Sequence, residues 1–190
     1  MREPHYFLAL WPDRPLAQEI ERRFRPHLES AWGARPVTPP NYHLTLAFLG
    51  RLLPGAVTSV IAYVDTLEPG RFDLALDRMG GFARSRTLYF APSTCPVVLT
   101  GLAETLRRGL AEAGLHHRLA GPATPDPFVP HVTLARGVRR WPGARPVPLL
   151  VWPVQRLCLA RSEPGRDYEI CFEWQLSGLE DPAECGIIMG

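Results

Sequence analysis

The chain has 190 residues, of which 46% are hydrophobic and 21% are charged, as expected of a globular protein with a substantial core. Its formal net charge of +2 argues against a protein that coats nucleic acid by bulk electrostatics. The apolar run near the N-terminus is too short for a signal peptide or a membrane span. We therefore expect a cytoplasmic protein that does not cross a membrane.

The first predicted elements are a strand and a helix. The stretch "HYFLALW" alternates and is rich in aromatic residues, which favours a strand. Asp13 offers an N-cap for a helix in which Leu16, Ile20 and Phe24 recur at four-residue spacing. Because proline lacks a backbone N–H, Pro26 is expected to end or kink this helix.

The middle of the chain is predicted to form a strand, a short helix, a hairpin and a longer helix. The strand carries His43, and the short helix covers 54–65. The runs "RFDLALDRMGGF" and "RTLYFAP" are strand-like and are joined by a Gly-Gly and arginine-rich link, which predicts a hairpin. The longer helix ends near Gly114. Its expected apolar stripe consists of Val98, Leu102, Leu106 and Leu110.

The order of elements then repeats. A strand carrying His131 is followed by "VPLLVWPVQRLCLARSE" and "RDYEICFEWQL", which we interpret as the two strands of a closing hairpin. Each half of the chain thus offers a helix, a connection, a strand and a hairpin. We predict a single α+β domain over 1–190 with two pseudo-symmetric lobes, each a mostly antiparallel sheet backed by helices, and a central cleft.

Two short motifs suggest what the cleft does. The stretches "HLTLA" and "HVTLA" place His43 with Thr45 and His131 with Thr133, so they indicate an internal duplication. Side chains alternate along a strand, and each histidine therefore shares one face with its threonine. A single such motif is more often a hydrogen-bonded histidine on a half-buried strand, but two matching motifs are hard to obtain by chance.

Paired imidazoles suit displacement at phosphorus. One group must take a proton from the attacking oxygen and another must protonate the leaving oxygen, and imidazole does either near neutral pH. Thr45 and Thr133 are placed to donate hydrogen bonds to non-bridging phosphate oxygens. This scheme needs no metal, and the sequence has no clustered carboxylates to hold one.

The cysteines give no sign of a cofactor site. No Cys-x-x-Cys or His/Cys ligand spacing is present, so we predict free thiols in packing positions and neither zinc nor another cofactor. The four cysteines are Cys95, Cys158, Cys171 and Cys185.

The sequence resembles the 2H phosphoesterase superfamily, and within it the bacterial and archaeal RNA 2′,3′-cyclic phosphodiesterases, also called 2′-5′ RNA ligases. The resemblance covers nearly the whole chain. It rests on "LALWPD", "HLTLAFLG", "GGFARSRTLYF" and "PHVTLAR", which occur in the expected order. It implies hydrolysis of 2′,3′-cyclic phosphate ends of RNA or nucleotides to 2′-phosphates.

The resemblance also implies roles for individual residues. It makes His43 the proton donor, which leaves His131 as the proton acceptor, and it makes Arg136 a phosphate contact. The charge of Arg136 near the second motif is expected to disfavour a protonated His131. Thr45 and Thr133 would bind the phosphate.

Several other residues are candidate substrate contacts. In a regular strand Phe48 would lie on the face opposite His43, so core packing competes with substrate contact at this position. Phe82, Arg84 and Arg86 lie in a loop that either reaches a nucleobase or phosphate or is a solvated surface. Arg139 and Arg140 form a basic cluster with Arg136 beside the second motif, and in this cluster we expect a substrate role for Arg136 only. His116 and His117 are expected at a helix C-terminus, where they favour the helix dipole.

Several alternatives stay open at this stage. A related enzyme would open another cyclic phosphate, such as that of ADP-ribose, or join RNA halves by the reverse reaction. An RNA-end-binding module would keep the phosphate clamp but would not need both histidines. A metal-binding protein is disfavoured because each strand supplies only one imidazole. We expect a monomer whose partners are RNA ends or nucleotides.

Overall fold

The computed structural model describes residues 3–32, 34–53, 55–115, 128–139 and 143–179, with 26–32 described by their backbone only. The first part of the chain forms β1 (His5–Leu10), α1 (Arg14–Trp32), β2 (Arg35–Pro36), a 3₁₀ turn (Pro39–Asn41), β3 (Leu44–Gly50) and α2 (Ala56–Asp65). The middle forms β4 (Gly70–Phe82), β5 (Thr87–Ala91) and α3 (Val97–Glu112). The last part forms β6 (Val132–Arg136), β7 (Arg145–Val154), β8 (Arg156–Ser162), β9 (Glu169–Gln175) and β10 (Ser177–Leu179).

The strands form one sheet made of two similar lobes. The His43 lobe has the strand order β3-β1-β8-β9, and the His131 lobe has the order β6-β5-β4-β7. All neighbours in these two orders are antiparallel, and the lobes join where Leu44 of β3 pairs with Val132 of β6. In addition, β2 pairs with β6 in antiparallel orientation, and β10 pairs with β4 in parallel orientation. The predicted α+β fold with two antiparallel lobes is confirmed.

The chain is divided between the lobes differently from the prediction. The β4–β5 hairpin follows the His43 strand in sequence but lies in the His131 lobe, and the β8–β9 hairpin lies in the His43 lobe. The reason is local, because the tight turn over 83–86 makes β4 the neighbour of β5, and β5 pairs with β6. Each lobe therefore combines strands from both halves of the chain.

The helix after β1 begins as predicted but does not end at Pro26. The Asp13 carboxylate accepts a hydrogen bond from the backbone N–H of Leu16 at 2.9 Å, so the N-cap is confirmed. The helix continues to Trp32. A proline removes a single hydrogen bond from the ladder, and the helix is already anchored before it by the buried Ile20 and Phe24.

The apolar stripe of α3 is shifted from the predicted one. Leu106 and Leu110 are buried as expected, but Val98 is 41% exposed and Leu99 and Ala103 are buried instead. Positions exactly four apart drift around a helix of 3.6 residues per turn, so the buried stripe moves by one residue over its length. The short helix α2 and the β4–β5 hairpin lie where they were predicted.

The stretch read as one closing strand is two strands in different lobes. β7 pairs with β4, whereas β8 pairs with β1 and β9, and the chain passes between them at Gln155. Pro146 and Pro153 lie in β7, whose described strand partner is β4, and proline is tolerated in strands that pair along one edge. A continuous apolar run gives no sign of this crossing.

Buried side chains fill both faces of the sheet. The main core, which includes Trp152 and Phe90, packs the helices against it, and a smaller cluster on the other face includes Phe7, Trp11 and Cys158. Cys95 and Cys158 are free thiols in partly or fully buried positions, as predicted.

Two predictions about the cysteines and one about membranes have different outcomes. Cys171 is free but exposed on β9, so its predicted packing role is wrong, and Cys185 lies outside the described residues. Among the described helices, none is long and apolar enough to cross a membrane.

Candidate active site

Each His-x-Thr strand contains a β-bulge directly after its threonine. In β3, Thr45 lies opposite Ala9 and Ala47 lies opposite Leu8, so Leu46 is the extra residue. Bulges bend a strand and redirect its side chains, and they are common beside active sites.

The second motif has the same irregularity in the same place. In β6, Thr133 lies opposite Tyr89 and Ala135 lies opposite Leu88, which makes Leu134 the extra residue. In both motifs the extra residue and the alanine after it are fully buried, so two successive side chains face the core. The alternation of faces is therefore reset after each bulge.

This reset brings Phe48 to the face of His43, contrary to the regular-strand expectation. Phe48 lies opposite Phe7, whose ring centroid is 5.0 Å from that of His43. Phe48 is 39% exposed and makes an edge contact with His5. The interpretation of Phe48 as a core residue is therefore wrong.

Arg136 is the counterpart of Phe48 in the second motif. It follows the bulge of β6 and lies opposite Thr87 of β5. Its exposed guanidinium lines the large cleft of the protein. Without the bulge, a side chain five positions after His131 would point to the other face.

The seam between the lobes brings the two motifs together. Leu44 and Val132 are the second residues of the two motifs and pair in antiparallel register. Continuing this register by one residue in each direction places each motif histidine opposite the threonine of the other motif. The four predicted polar side chains therefore meet at one place on the sheet.

Both histidines are held in the same tautomer. His43 Nδ1 is 2.7 Å from the carbonyl oxygen of Asn41, and His131 Nδ1 is 2.7 Å from that of Val129. A carbonyl oxygen only accepts, so each Nδ1 carries the hydrogen and donates it. This leaves both Nε2 atoms for proton transfer.

Three aromatic rings surround His43. The Trp11 ring is stacked on it at 5.1 Å between centroids and 21° between planes, and Tyr168 makes an edge contact at 5.0 Å. Phe7 is the third ring. The indole N–H of Trp11 donates to the carbonyl of Pro40 at 3.2 Å, which fixes the stacked ring.

The surroundings of His131 are also aromatic but differ in geometry. Its ring centroid is 5.0 Å from Phe82 and 5.4 Å from Tyr89, and neither ring is stacked on it. The Tyr89 ring lies over Gly80, where an added Cβ would be 2.5 Å from it. Glycine is therefore needed at this position of β4.

A cleft of about 650 Å³ lies along the His43 lobe, and neither motif histidine is among its lining residues. Three lining residues connect the cleft to the motifs: Arg136 follows the second motif, and Asn41 and Tyr168 contact His43. The loop between β8 and β9 forms another wall. The cleft is within the size range of pockets that hold small molecules.

Asn41 connects this loop to His43. Its carbonyl oxygen accepts the His43 hydrogen bond, and its side-chain amide donates to Asp167 at 2.7 Å and to Thr38 at 2.9 Å. The amide oxygen accepts the backbone N–H of Tyr168 at 2.8 Å. At the equivalent position before His131 the chain has valine, which offers only its backbone carbonyl.

Comparisons with known proteins agree with this geometry. A family model described as LigT like Phosphoesterase matches residues 10–89. The RNA 2′,3′-cyclic phosphodiesterase of Thermus thermophilus is 31% identical over 183 residues, which cover 91% of this chain and 90% of that protein.

The chain belongs to the LigT-like phosphoesterase family. Its fold matches E. coli LigT complexed with 3′-AMP with a TM-score of 0.79 at 27% identity, over 93% of this phosphoesterase and 100% of that chain. E. coli LigT complexed with phosphate matches with a TM-score of 0.75 at 26% identity, over 93% and 100% of the two chains. The resemblance to the 2H phosphoesterases is confirmed, and the phosphoesterase is a hydrolase.

Some predicted residues lie away from the histidines of the phosphoesterase. Arg84 is exposed in the turn after β4, and no described contact joins it to His43 or His131. Phe82, in contrast, contacts His131 directly. The described residues do not include Arg140, His116 and His117.

Sequence reasoning missed four residues that touch His43. Phe7, Trp11, Asn41 and Tyr168 come from three separate segments and meet only in the fold. Trp11 lies in the "LALWPD" stretch and Asn41 lies two residues before His43, so their positions near known motifs could have indicated a place in the site. Tyr168 had none.

The electrostatics of the site favour neutral imidazoles in the ligand-free phosphoesterase. Burial lowers the pKa of His43 to about 4, and the charges of Arg136 and His131 add to this effect. Burial and Arg136 also lower the pKa of His131. Arg136 thus lowers the pKa of both histidines. The sequence predicted an effect on His131, but the charge acts on His43 as well and therefore does not decide which histidine is the acid.

We expect bound phosphate to raise the pKa of His43 from about 4, because an anion stabilises the imidazolium. NMR titration of the ring nitrogens with and without inorganic phosphate measures this shift. Arg136→Gln should raise the pKa of both histidines, whereas Arg51→Gln, which removes a cleft arginine paired with Glu3, should not.

The same shift predicts how stability depends on pH. Because the folded pKa of His43 lies below the unfolded value near 6.5, the unfolded chain binds more protons between pH 4 and 6.5. The contribution of His43 to stability is therefore present above this window and decreases as the pH falls through it. A His43 that titrates near pH 6.5 in the free protein would contradict the effect of burial.

We predict that Asn41→Ala lowers kcat, by less than His43→Ala, because it releases the carbonyl that orients the imidazole. The pH–rate profile should also move, since a loosened Nδ1 hydrogen bond changes the pKa of His43. Val129→Ala is the matched control at the equivalent position, where only the backbone contacts the histidine. Equal effects of the two substitutions on kcat and on the profile would refute a positioning role for the Asn41 side chain.

Proposed function

We propose that this phosphoesterase hydrolyses 2′,3′-cyclic phosphates at RNA ends or on nucleotides to 2′-phosphates, by two-histidine acid–base catalysis without a metal ion. The observation that carries the proposal is the pair of imidazoles with occupied Nδ1 atoms, which leaves two Nε2 atoms in one site. The names of the relatives, RNA 2′,3′-cyclic phosphodiesterase, support the substrate class.

In the proposed reaction, water attacks phosphorus opposite the 3′ oxygen. His131 Nε2 accepts a proton from the water, and His43 Nε2 donates a proton to the 3′ oxygen as the P–O3′ bond breaks. The products are a 3′ hydroxyl and a 2′-phosphomonoester. The two histidines exchange protonation states and return to the starting state through solvent.

The remaining polar groups of the site bind the phosphate in this scheme. Thr45 and Thr133 donate hydrogen bonds to the non-bridging oxygens, and the Arg136 guanidinium neutralises their charge. The anionic substrate would also supply the charge that His43 needs to become protonated.

The stacked Trp11 supports His43 as the acid. A cation over the face of an indole ring is stabilised by the ring quadrupole. The His43 ring is stacked on the indole of Trp11, with 5.1 Å between the ring centroids. His131 has no stacked ring among its described neighbours. The indole thus offsets part of the cost that burial imposes on a protonated His43, whose pKa burial lowers to about 4.

The nucleoside of the substrate would occupy the large cleft. Phe48 and Phe82 do not line that cleft, so they are candidate stacking partners only for a base bound close to the histidines, since aromatic side chains stack on bases. Opening of another cyclic phosphate and end binding without turnover are alternatives that the experiment below distinguishes, and the reverse ligation of RNA halves is a further alternative. The cytoplasmic location and the monomeric state remain predictions from the sequence.

The test is incubation of the protein with nucleoside 2′,3′-cyclic phosphates, cyclic-phosphate-ended oligonucleotides and cyclic phosphates of ADP-ribose, with ³¹P NMR of the products. We expect 2′-phosphates from the first two, with unchanged rates in EDTA. His43→Ala and His131→Ala should each lower turnover about 10²–10⁴-fold. Thr45→Ala and Thr133→Ala should cost less, since a lost neutral donor is worth about 1–3 kcal/mol.

Each other outcome of this experiment has a definite meaning. A 3′-phosphate product would reverse which P–O bond breaks, and loss of turnover in EDTA with recovery on adding a divalent ion would refute the metal-free mechanism. Binding without turnover in the wild-type protein would favour the end-binding alternative.

The roles of the two histidines can be separated with a better leaving group. A nucleoside 2′-(p-nitrophenyl phosphate) needs no acid for departure of p-nitrophenolate. We therefore expect His43→Ala to recover most of its lost rate on this substrate and His131→Ala to recover little, measured by p-nitrophenolate absorbance. Recovery by His131→Ala instead would exchange the two assignments.

A further inference from the structure

A second, smaller cavity lies in the His131 lobe and is connected to His131 through Phe82, which lines the cavity and contacts the histidine. It has a volume of about 140 Å³ and is lined by Phe82, Ala83, Arg86, Thr87, Val138 and Arg139. Pockets that hold whole small molecules measure about 300–1,000 Å³. A cavity of this size therefore suits a single chemical group.

The lining of this cavity is cationic. Its lining residues include two arginines, Arg86 and Arg139, and no acidic residue. Neither arginine forms an ion pair with a described carboxylate. Arginine pairs well with phosphate because its donors match two phosphate oxygens at once.

The backbone holds the two arginines on the same cavity. Arg86 has a φ of 52°, the left-handed region that L residues seldom adopt. Its carbonyl oxygen accepts a hydrogen bond from the backbone N–H of Val138 at 3.0 Å, which ties the turn after β4 to the segment after β6. Strained conformations of this kind are frequent at binding sites.

The cavity is next to the phosphate clamp. Phe82 belongs to its lining and also contacts His131 at 5.0 Å between ring centroids. Thr87, another lining residue, lies opposite Arg136 across the β5–β6 pair. Arg136 itself lines the large cleft, so the two cavities flank this residue.

The charge pattern of the large cleft is different. There, Arg51 lies 3.4 Å from Glu3, and a second cleft arginine pairs with Glu163 at 3.6 Å. A mixed lining of this kind suits an uncharged polar group such as a nucleoside, whereas the small cavity suits an anion.

We infer that the small cavity binds the phosphate on the 5′ oxygen of the nucleotide whose 2′,3′-cyclic phosphate is opened. The inference rests on the proposed function and narrows its substrate class. RNA ends and 5′-phosphorylated nucleotides carry this second phosphate, and nucleoside 2′,3′-cyclic phosphates do not. Arg86 and Arg139 thus make the enzyme prefer an RNA end over a nucleoside cyclic phosphate.

The test compares adenosine 2′,3′-cyclic phosphate with its 5′-phosphorylated counterpart at fixed ionic strength. In the wild-type enzyme the 5′-phosphate should raise kcat/KM about tenfold or more, as expected for a charge-assisted contact. Arg86→Gly, which suits the left-handed backbone, and Arg139→Ala should each bring the ratio of the two kcat/KM values toward one. Circular dichroism checks that both variants are folded.

Arg84→Ala is the matched control, because Arg84 lies in the same turn but outside the lining of the small cavity. It should keep the wild-type ratio. A wild-type ratio of one, or an equal loss in Arg84→Ala, would overturn the inference, since a general positive field would then explain any preference.

A binding measurement separates this inference from the proposed function. Adenosine 2′,5′-bisphosphate should bind the wild-type protein more tightly than adenosine 2′-monophosphate in calorimetry, and Arg86→Gly should remove the difference. If neither cyclic phosphate is opened, the proposed function fails, and the calorimetry with adenosine 2′,5′-bisphosphate still shows whether the small cavity binds a 5′-phosphate. If both are opened equally and the two products bind equally, the site is refuted and the proposed function stands.

Discussion

The β-bulge after each motif threonine is the constraint on which the active site depends. A regular strand would send every second residue to the core, and the residue five places after each histidine would point away from it. The bulges place two successive residues in the core, Leu46 with Ala47 and Leu134 with Ala135, so burial of apolar surface stabilises the irregular strand. The following side chains, Phe48 and Arg136, consequently join the polar pair.

The same packing sets the protonation of the histidines. Three rings from two segments enclose His43, and burial is the main reason that its pKa is low. A low pKa keeps the free site neutral, and it makes the protonated state of His43 depend on a bound anion. In the proposed reaction, the indole of Trp11 would stabilise the protonated His43 by a cation–π contact.

The two lobes are equivalent in backbone but not in side chains. Both histidines donate to the carbonyl two residues earlier, and both strands bulge at the same position. The side chains at equivalent positions of the two motifs differ: Asn41 corresponds to Val129, and Phe48 corresponds to Arg136. Acid–base catalysis needs one neutral and one protonated imidazole, so differences of this kind are what a duplicated scaffold requires for two distinct roles.

The sequence by itself determined the fold class, the two motif pairs and the family. The fold class and the motif pairs follow from short-range patterns: alternation along strands, the spacing of His43 from Thr45 and of His131 from Thr133, and the Asp13 cap all operate within a few residues. The family is indicated by the resemblance of the motif stretches. The tertiary structure alone decided which hairpin joins which lobe, because strand order depends on pairing between distant segments. It also decided the face of Phe48, since a bulge appears only when a strand is aligned with its partner, and it brought Tyr168 to His43 across the sheet.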